Sequence, residues 1–204
     1  MPRRRDFLTQ LGALATAAVF DADELKAAPA PGDTWDTSWI DKLSAAQFKV
    51  VFNADQISDG AAIDYAETFF SHFHEAHATS DGQTRPVIVF RRLGTPMALN
   101  DVMWERYAIG EDRKISDSST HAPAKRNVYR KKLEALHQRG SISLVCNIAL
   151  GNWAGMAAQR THRKADEVKA EARANLVPGA IVVPSGIYAL IRAQNAGCAY
   201  MPGD

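Results

Sequence analysis

The chain is expected to form a single α/β domain: an open parallel sheet of about five strands with helices on both faces. Three observations predict it. Apolar runs of strand length alternate with segments of helical period. Runs such as Val87-Ile88-Val89-Phe90 and Gly179-Ala180-Ile181-Val182-Val183 are continuous, as strands covered on both faces require. Turn-forming residues, Asn53-Ala54-Asp55 and Pro184-Ser185-Gly186, stop strands just before helices begin. With 204 residues, 46% of them hydrophobic and 23% charged, the chain supplies one core and needs no second domain.

Residues 1–30 are expected to be a targeting segment outside the fold. Arg3, Arg4 and Arg5 precede Asp6-Phe7-Leu8, the pattern of a twin-arginine export signal, and a weakly apolar stretch from Leu11 to Phe20 follows. That stretch is too short to span a bilayer, so stable membrane insertion is not expected. Small residues at Lys26-Ala27-Ala28 and Ala28-Pro29-Ala30 offer cleavage sites. The implied partner is the twin-arginine export machinery, and the implied location is the periplasm or another exported compartment.

Residues 31–47 read as an N-terminal arm. Trp35, Trp39, Ile40 and Leu43 recur at near-helical spacing, and two tryptophans are costly to leave in water, so the arm should pack onto the domain of residues 48–204. The first strand is Phe48 to Phe52. A helix follows Ser58-Asp59-Gly60, with Ala62, Ile63, Ala66, Phe69, Phe70 and Phe73 on its buried face. The second strand is Pro86 to Arg91. Thr95-Pro96 predicts the start of a helix, threonine as cap and proline in the first turn, carrying Met97, Leu99, Val102, Met103 and Tyr107 toward a stop at Gly110. Residues 111–125 read as a loop, and a helix from about Asn127 to Gln138 stops at Gly140.

The third strand, Ile142 to Val145, delivers Cys146 to a strand-to-helix junction. Helices are expected at Leu150–Arg160 and Ala165–Asn175, a fourth strand at Gly179–Val183, a helix at Ile187–Asn195, and an edge strand at Cys198–Met201. In a parallel sheet, the carboxyl ends of the strands face one crevice with the helix N-termini, and reactive groups gather there. Asn53, Asp55, Arg91 or Arg92, Cys146, Asn147, Ser185 and Gly186 should therefore lie along one edge. Because Arg91 and Arg92 are adjacent, strand alternation lets only one face the pocket, and Arg92 is the expected one.

Cys146 is the candidate for chemistry. A thiol near a helix N-terminus and an arginine has its thiolate favoured, and the thiolate is the nucleophile. An unpaired cysteine also serves as a small buried hydrophobe, and Ser185 serves equally as a helix cap or a ligand. Cys198 falls at the opposite edge, out of disulfide reach, so two free thiols are expected.

Other chemistries find little support. A net charge of +1, from 24 basic and 23 acidic residues, suggests no nucleic-acid partner. No dinucleotide or phosphate-loop fingerprint and no nucleophile elbow is present, so no cofactor is expected. Of His72, His74 and His77 only the last two share a helix face, and no metal site is expected there.

Leu144-Val145-Cys146-Asn147-Ile148-Ala149-Leu150, Met97-Ala98-Leu99-Asn100-Asp101-Val102-Met103-Trp104, and the ending from Val177-Pro178-Gly179 through Ala196-Gly197-Cys198-Ala199-Tyr200 resemble the DsrE/DsrF-like proteins, most closely an exported branch with twin-arginine signals. The resemblance implies a small α/β domain assembling into trimers or hexamers. It also implies that Cys146, at the position of the sulfur-relay cysteine, carries a persulfide and exchanges sulfur with a donor or acceptor protein. The chain departs from the relay pattern where Gly151-Asn152-Trp153-Ala154-Gly155 replaces an arginine-rich stretch, and where Arg92 stands in place of a histidine. Two roles follow: a sulfur-carrier or thiol-redox protein acting through Cys146, or a non-catalytic oligomeric binding module for a small molecule or protein.

Overall fold

Five apolar runs pair as parallel strands: β1 (Phe48–Ala54), β2 (Thr84–Phe90), β3 (Ile142–Cys146), β4 (Ile181–Val183) and β5 (Ala199–Pro202), in the order β4-β3-β2-β1-β5. This computed structural model describes residues 35–204. The expected export signal over residues 1–30 and the first residues of the arm lie outside the described residues. Register aligns Val51 with Val87, Val87 with Ile142, and Cys146 with Val183.

Strand order decides which face each helix covers. The chain steps from β1 to β2, β3 and β4 in one direction, and right-handed crossovers then put every connection on one face. The return from β4 to β5 runs the other way, so its helix covers the opposite face. The first face holds α2 (Ala61–His77), a 3-10 run at Arg92–Ala98, α3 (Asp101–Arg106), α4 (Ile109–Arg113), α5 (Arg130–Gln138), α6 (Asn147–Thr161) and α7 (Ala165–Ala174). The second holds α8 (Gly186–Asn195) with α1 (Ser38–Ser44) of the arm.

Strand alternation sorts the apolar side chains accordingly. Val50, Phe52, Ile88, Phe90 and Val145 join the large core with Ile63, Phe70, Trp104 and Trp153. Val51, Val87, Val89, Ile142, Leu144 and Val183 join the smaller one with Trp39, Leu43, Ala189, Ala193 and Cys198. The arm is thus part of the domain: Trp39 and Leu43, one helical turn apart, are fully buried.

The helix expected from Thr95-Pro96 is replaced by the 3-10 run and the shorter α3. Asn100 is the cap, its side chain accepting the Met103 amide at 3.3 Å, while Thr95 is fully buried with an unpartnered hydroxyl among the described residues. Met103 and Trp104 of α3 are fully buried, while Val102 is 47% exposed. The helix after β3 begins three residues earlier than expected, at Asn147.

The histidines at the end of α2 have packing roles. His74 Nε2 lies 3.2 Å from Asp81 Oδ1, and His77 stacks on Phe48 at 4.8 Å. Among the described residues no helix is long and apolar enough to cross a membrane, and no group of three or more metal-type ligands occurs.

Candidate functional site

The reversal of chain direction at β4 builds the site. Past β3 the chain leaves to one face as α6, and past β4 it leaves to the other as α8. A crevice opens between such diverging connections, outside the strand ends. A cavity of about 480 Å³ lies there, within the range of roughly 300–1,000 Å³ usual for small-molecule sites. Cys146, Ser185, Gly186, Arg91 and Arg92 line it.

Two junctions of the same design flank it. Cys146, the last residue of β3, is the N-cap of α6, and its Sγ accepts the Ala149 amide at 3.3 Å. Ser185 is the N-cap of α8, and its Oγ accepts the Tyr188 amide at 3.0 Å. Each side chain satisfies one of the first-turn amides that a helix leaves unpaired. Ser185 therefore both caps its helix and lines the cavity. Cys146 is 6% exposed, with Val145 and Leu144 buried behind it.

The third wall comes from the turn after β2. The Arg91 amide donates to Ala54 O at 3.1 Å, and those of Leu93 and Gly94 donate to Asp55 O at 3.0 and 3.2 Å. Gly94 is required here, since a Cβ would sit 2.2 Å from Ala54 O. The turn also puts Arg92 in the left-handed region at φ 48°. Strand alternation ends at Arg91, so both arginines line the cavity, contrary to the expectation that only Arg92 would.

Their surroundings differ. Arg92 is largely exposed and lies 3.5 Å from Asp55 Oδ2. Arg91 is partly buried, and among the described residues its side chain has neither an ion pair nor a hydrogen bond. Its stem lies against Gly186, where a Cβ would meet Arg91 Cδ at 2.9 Å and Cβ at 3.0 Å.

Three expected pocket residues are not among those lining the cavity. Asn53 ends up beside β5, its amide donating to the Tyr200 hydroxyl at 3.3 Å. Asp55 acts from behind the wall, through Arg92 and the turn amides. Asn147 is 4% exposed, and its side-chain oxygen has no partner among the described residues. The physical reason for the first two is topology: β1 and β2 both send their helices to the same face, so no crevice opens between them.

Residues missed from sequence complete the wall: Leu93, Ile148, Ala149, Asn152, Trp153, Met156 and Ile187. The spacing of Ile148, Asn152 and Met156, four residues apart, marks one stripe of α6. Placing the helix start at Leu150 hid that stripe.

No protein-family model matches the chain, and no curated protein does. Among solved structures the chain is similar to MTH1491, a protein of unknown function from Methanobacterium thermoautotrophicum, at 17% identity and a TM-score of 0.43, over 76% of this chain and 98% of that one. A likeness at that level adds nothing to the reading of the site.

Proposed function

We propose that this is an exported DsrE/DsrF-like protein that exchanges sulfur or thiol redox equivalents on Cys146. One feature carries the reading: a thiol that ends a strand, accepts an N–H from the first turn of a 15-residue helix, and forms part of a cavity wall. A sulfur there faces the positive end of the helix dipole, the environment in which reactive cysteines are found. Arg91 and Arg92 add positive charge to the same wall.

The exchange needs only a sulfane-sulfur donor, R–S–SH. The Cys146 thiolate attacks the terminal sulfur, forming a new S–S bond while the donor's S–S bond breaks. The leaving R–S⁻ takes the proton of the transferred S–H, so R–SH departs and Cys146 is left as Cys–S–S⁻. An acceptor thiolate attacking the outer sulfur reverses the step, with no net oxidation.

The resemblance extends the proposal to a homo-oligomer, trimeric or hexameric, and to a donor or acceptor protein as partner. A second reading, a binding module in which Cys146 only packs, draws on its 6% exposure and on the apolar wall formed by Ile148, Trp153 and Met156. Treating protein that lacks residues 1–30 with glutathione persulfide, followed by cyanolysis and mass spectrometry, separates the two. Sulfur transfer predicts one added sulfur on Cys146, absent in Cys146→Ser and retained in Cys198→Ser. No loading of the folded protein would overturn it in favour of the binding module.

A further inference from the structure

We infer that the cavity takes a small molecule with a single anionic head, such as a sulfonate or carboxylate, on a compact apolar body, and that Arg91 is the residue that holds the head. The inference names the substrate class of the cavity just described, and rests on the thiol reading only for calling that ligand a substrate.

Charge balance at the cavity points to an anion. Among the described residues two arginines line it, and no carboxylate does. Arg92 has Asp55 beside it at 3.5 Å, but Arg91 is partly buried with no acceptor among the described residues. A guanidinium with no counter-charge beside it can form a charge-assisted contact with an anion supplied by a ligand. Along the sheet, by contrast, Arg85 donates to Gly140 O at 2.6 Å and Arg139 pairs with Asp81 at 3.0 Å. Among the described residues Arg91, unlike these two, has no partner, and it lines the cavity.

Gly186 supports the same assignment. It is the first residue of α8, and the absence of its Cβ lets the Arg91 stem cross the helix start. Ser185 Oγ takes the Tyr188 amide, and the earlier amides of that turn have no partner within the helix. The rest of the wall selects the body: Leu93, Ile148, Trp153, Met156 and Ile187 are apolar. An inorganic anion alone would leave that surface unused, and a neutral apolar ligand would leave Arg91 unpaired.

The test uses 4-methylbenzenesulfonate, with neutral 4-methylbenzenesulfonamide as control, in calorimetric titrations of wild-type protein and Arg91→Met. Methionine keeps an apolar stem over Gly186 while removing the charge. The sulfonate should bind wild type, the sulfonamide should bind more weakly, and Arg91→Met should weaken the sulfonate about tenfold or more, as loss of a charge-assisted contact does. In parallel, Cys146 is modified with anionic 2-sulfonatoethyl and cationic 2-(trimethylammonium)ethyl methanethiosulfonates, each rate scaled to that with free cysteine. The anionic reagent should be favoured, and Arg91→Met should abolish the preference.

No sulfonate binding, equal binding of the sulfonamide, or an unchanged affinity in Arg91→Met overturns the inference. Sulfonate binding with a thiol inert to both reagents and to persulfide leaves the inference standing and removes the thiol chemistry. Sulfur loading of Cys146 without any anion preference does the reverse.

Discussion

The two ends of the sheet hold their polar and sulfur groups in different ways. At the amino ends of the strands, Arg85 is bonded to Gly140 O, Arg139 to Asp81, and His137 bridges Pro178 O at 2.8 Å and Ser143 Oγ at 2.7 Å. Cys198, just before β5, lies in the smaller core, and burial pushes its thiol up to about 11. At the carboxyl ends Arg91 has no acceptor among the described residues, and Cys146 borders a cavity. Yet Cys146 and Cys198 have the same 6% exposure. What separates them is the neighbourhood: a helix start and open volume around one, close-packed side chains around the other. The amino end satisfies these groups internally, and among the described residues the carboxyl end leaves a cation unpaired beside a cavity.

The largest expected effect comes from the core that encloses Cys198. Trp39→Ala should cost about 3–5 kcal/mol in urea unfolding, because a fully buried tryptophan leaves a cavity its neighbours cannot fill. If the two ends are independent, the reactivity of Cys146 in the folded fraction should not change. A parallel loss of both would break the contrast.

The cysteines themselves should respond differently to serine. Cys198→Ser puts a hydroxyl into an apolar cluster and should cost about 1–3 kcal/mol. Cys146→Ser replaces one N-cap acceptor with a better one, so its stability should stay within about 0.5 kcal/mol of wild type. Equal costs by thermal or urea unfolding would count against the assignment of Cys146 to the helix cap.

A smaller effect is expected from pH. Burial holds His137 below its ordinary value of 6.5, despite the opposing hydrogen bond to Pro178. With Nδ1 donating to that carbonyl, the neutral ring accepts the Ser143 hydroxyl at Nε2. Below about pH 6.5 the unfolded chain takes up a proton that the folded chain refuses. This contribution is therefore present above that pH and is lost as pH falls toward the folded value, with a limiting slope of about 1.4 kcal/mol per pH unit. His137→Gln should flatten the slope. The modification rate of Cys146 at fixed pH should be the same in that variant, since His137 belongs to the other end.

The layout of strands was legible from residues because continuous apolar runs such as Val87–Phe90 have few other uses. Their spatial order was not, and the cavity depends on it. Only once β4 is an edge strand whose helix returns over the far face does the crevice fall between Cys146 and Gly186, and away from Asn53. Arg91 was missed because alternation holds only within a strand, and the turn that breaks it depends on Arg92 adopting a left-handed backbone that nothing in its residue type signals. Cys146 and Ser185 were found because a polar or sulfur-bearing residue at a strand end, followed by a helix, is a local pattern. The Thr95-Pro96 start misled for the opposite reason: a good local pattern was overridden by the packing that buries Thr95.

The central claim is that Cys146 works and Cys198 packs, despite equal exposure. It is tested most directly by following both thiols with a maleimide probe and mass spectrometry in the folded protein across pH 6–9, with Cys146→Ser and Cys198→Ser as controls. A thiol held at about 11 is ionised in about one molecule in a thousand at pH 8, so Cys198 should remain unlabelled until the protein unfolds. The account expects Cys146 to be labelled in the native state, and that signal to vanish in Cys146→Ser alone. Labelling of both cysteines only on unfolding, or of Cys198 as fast as Cys146, would contradict it.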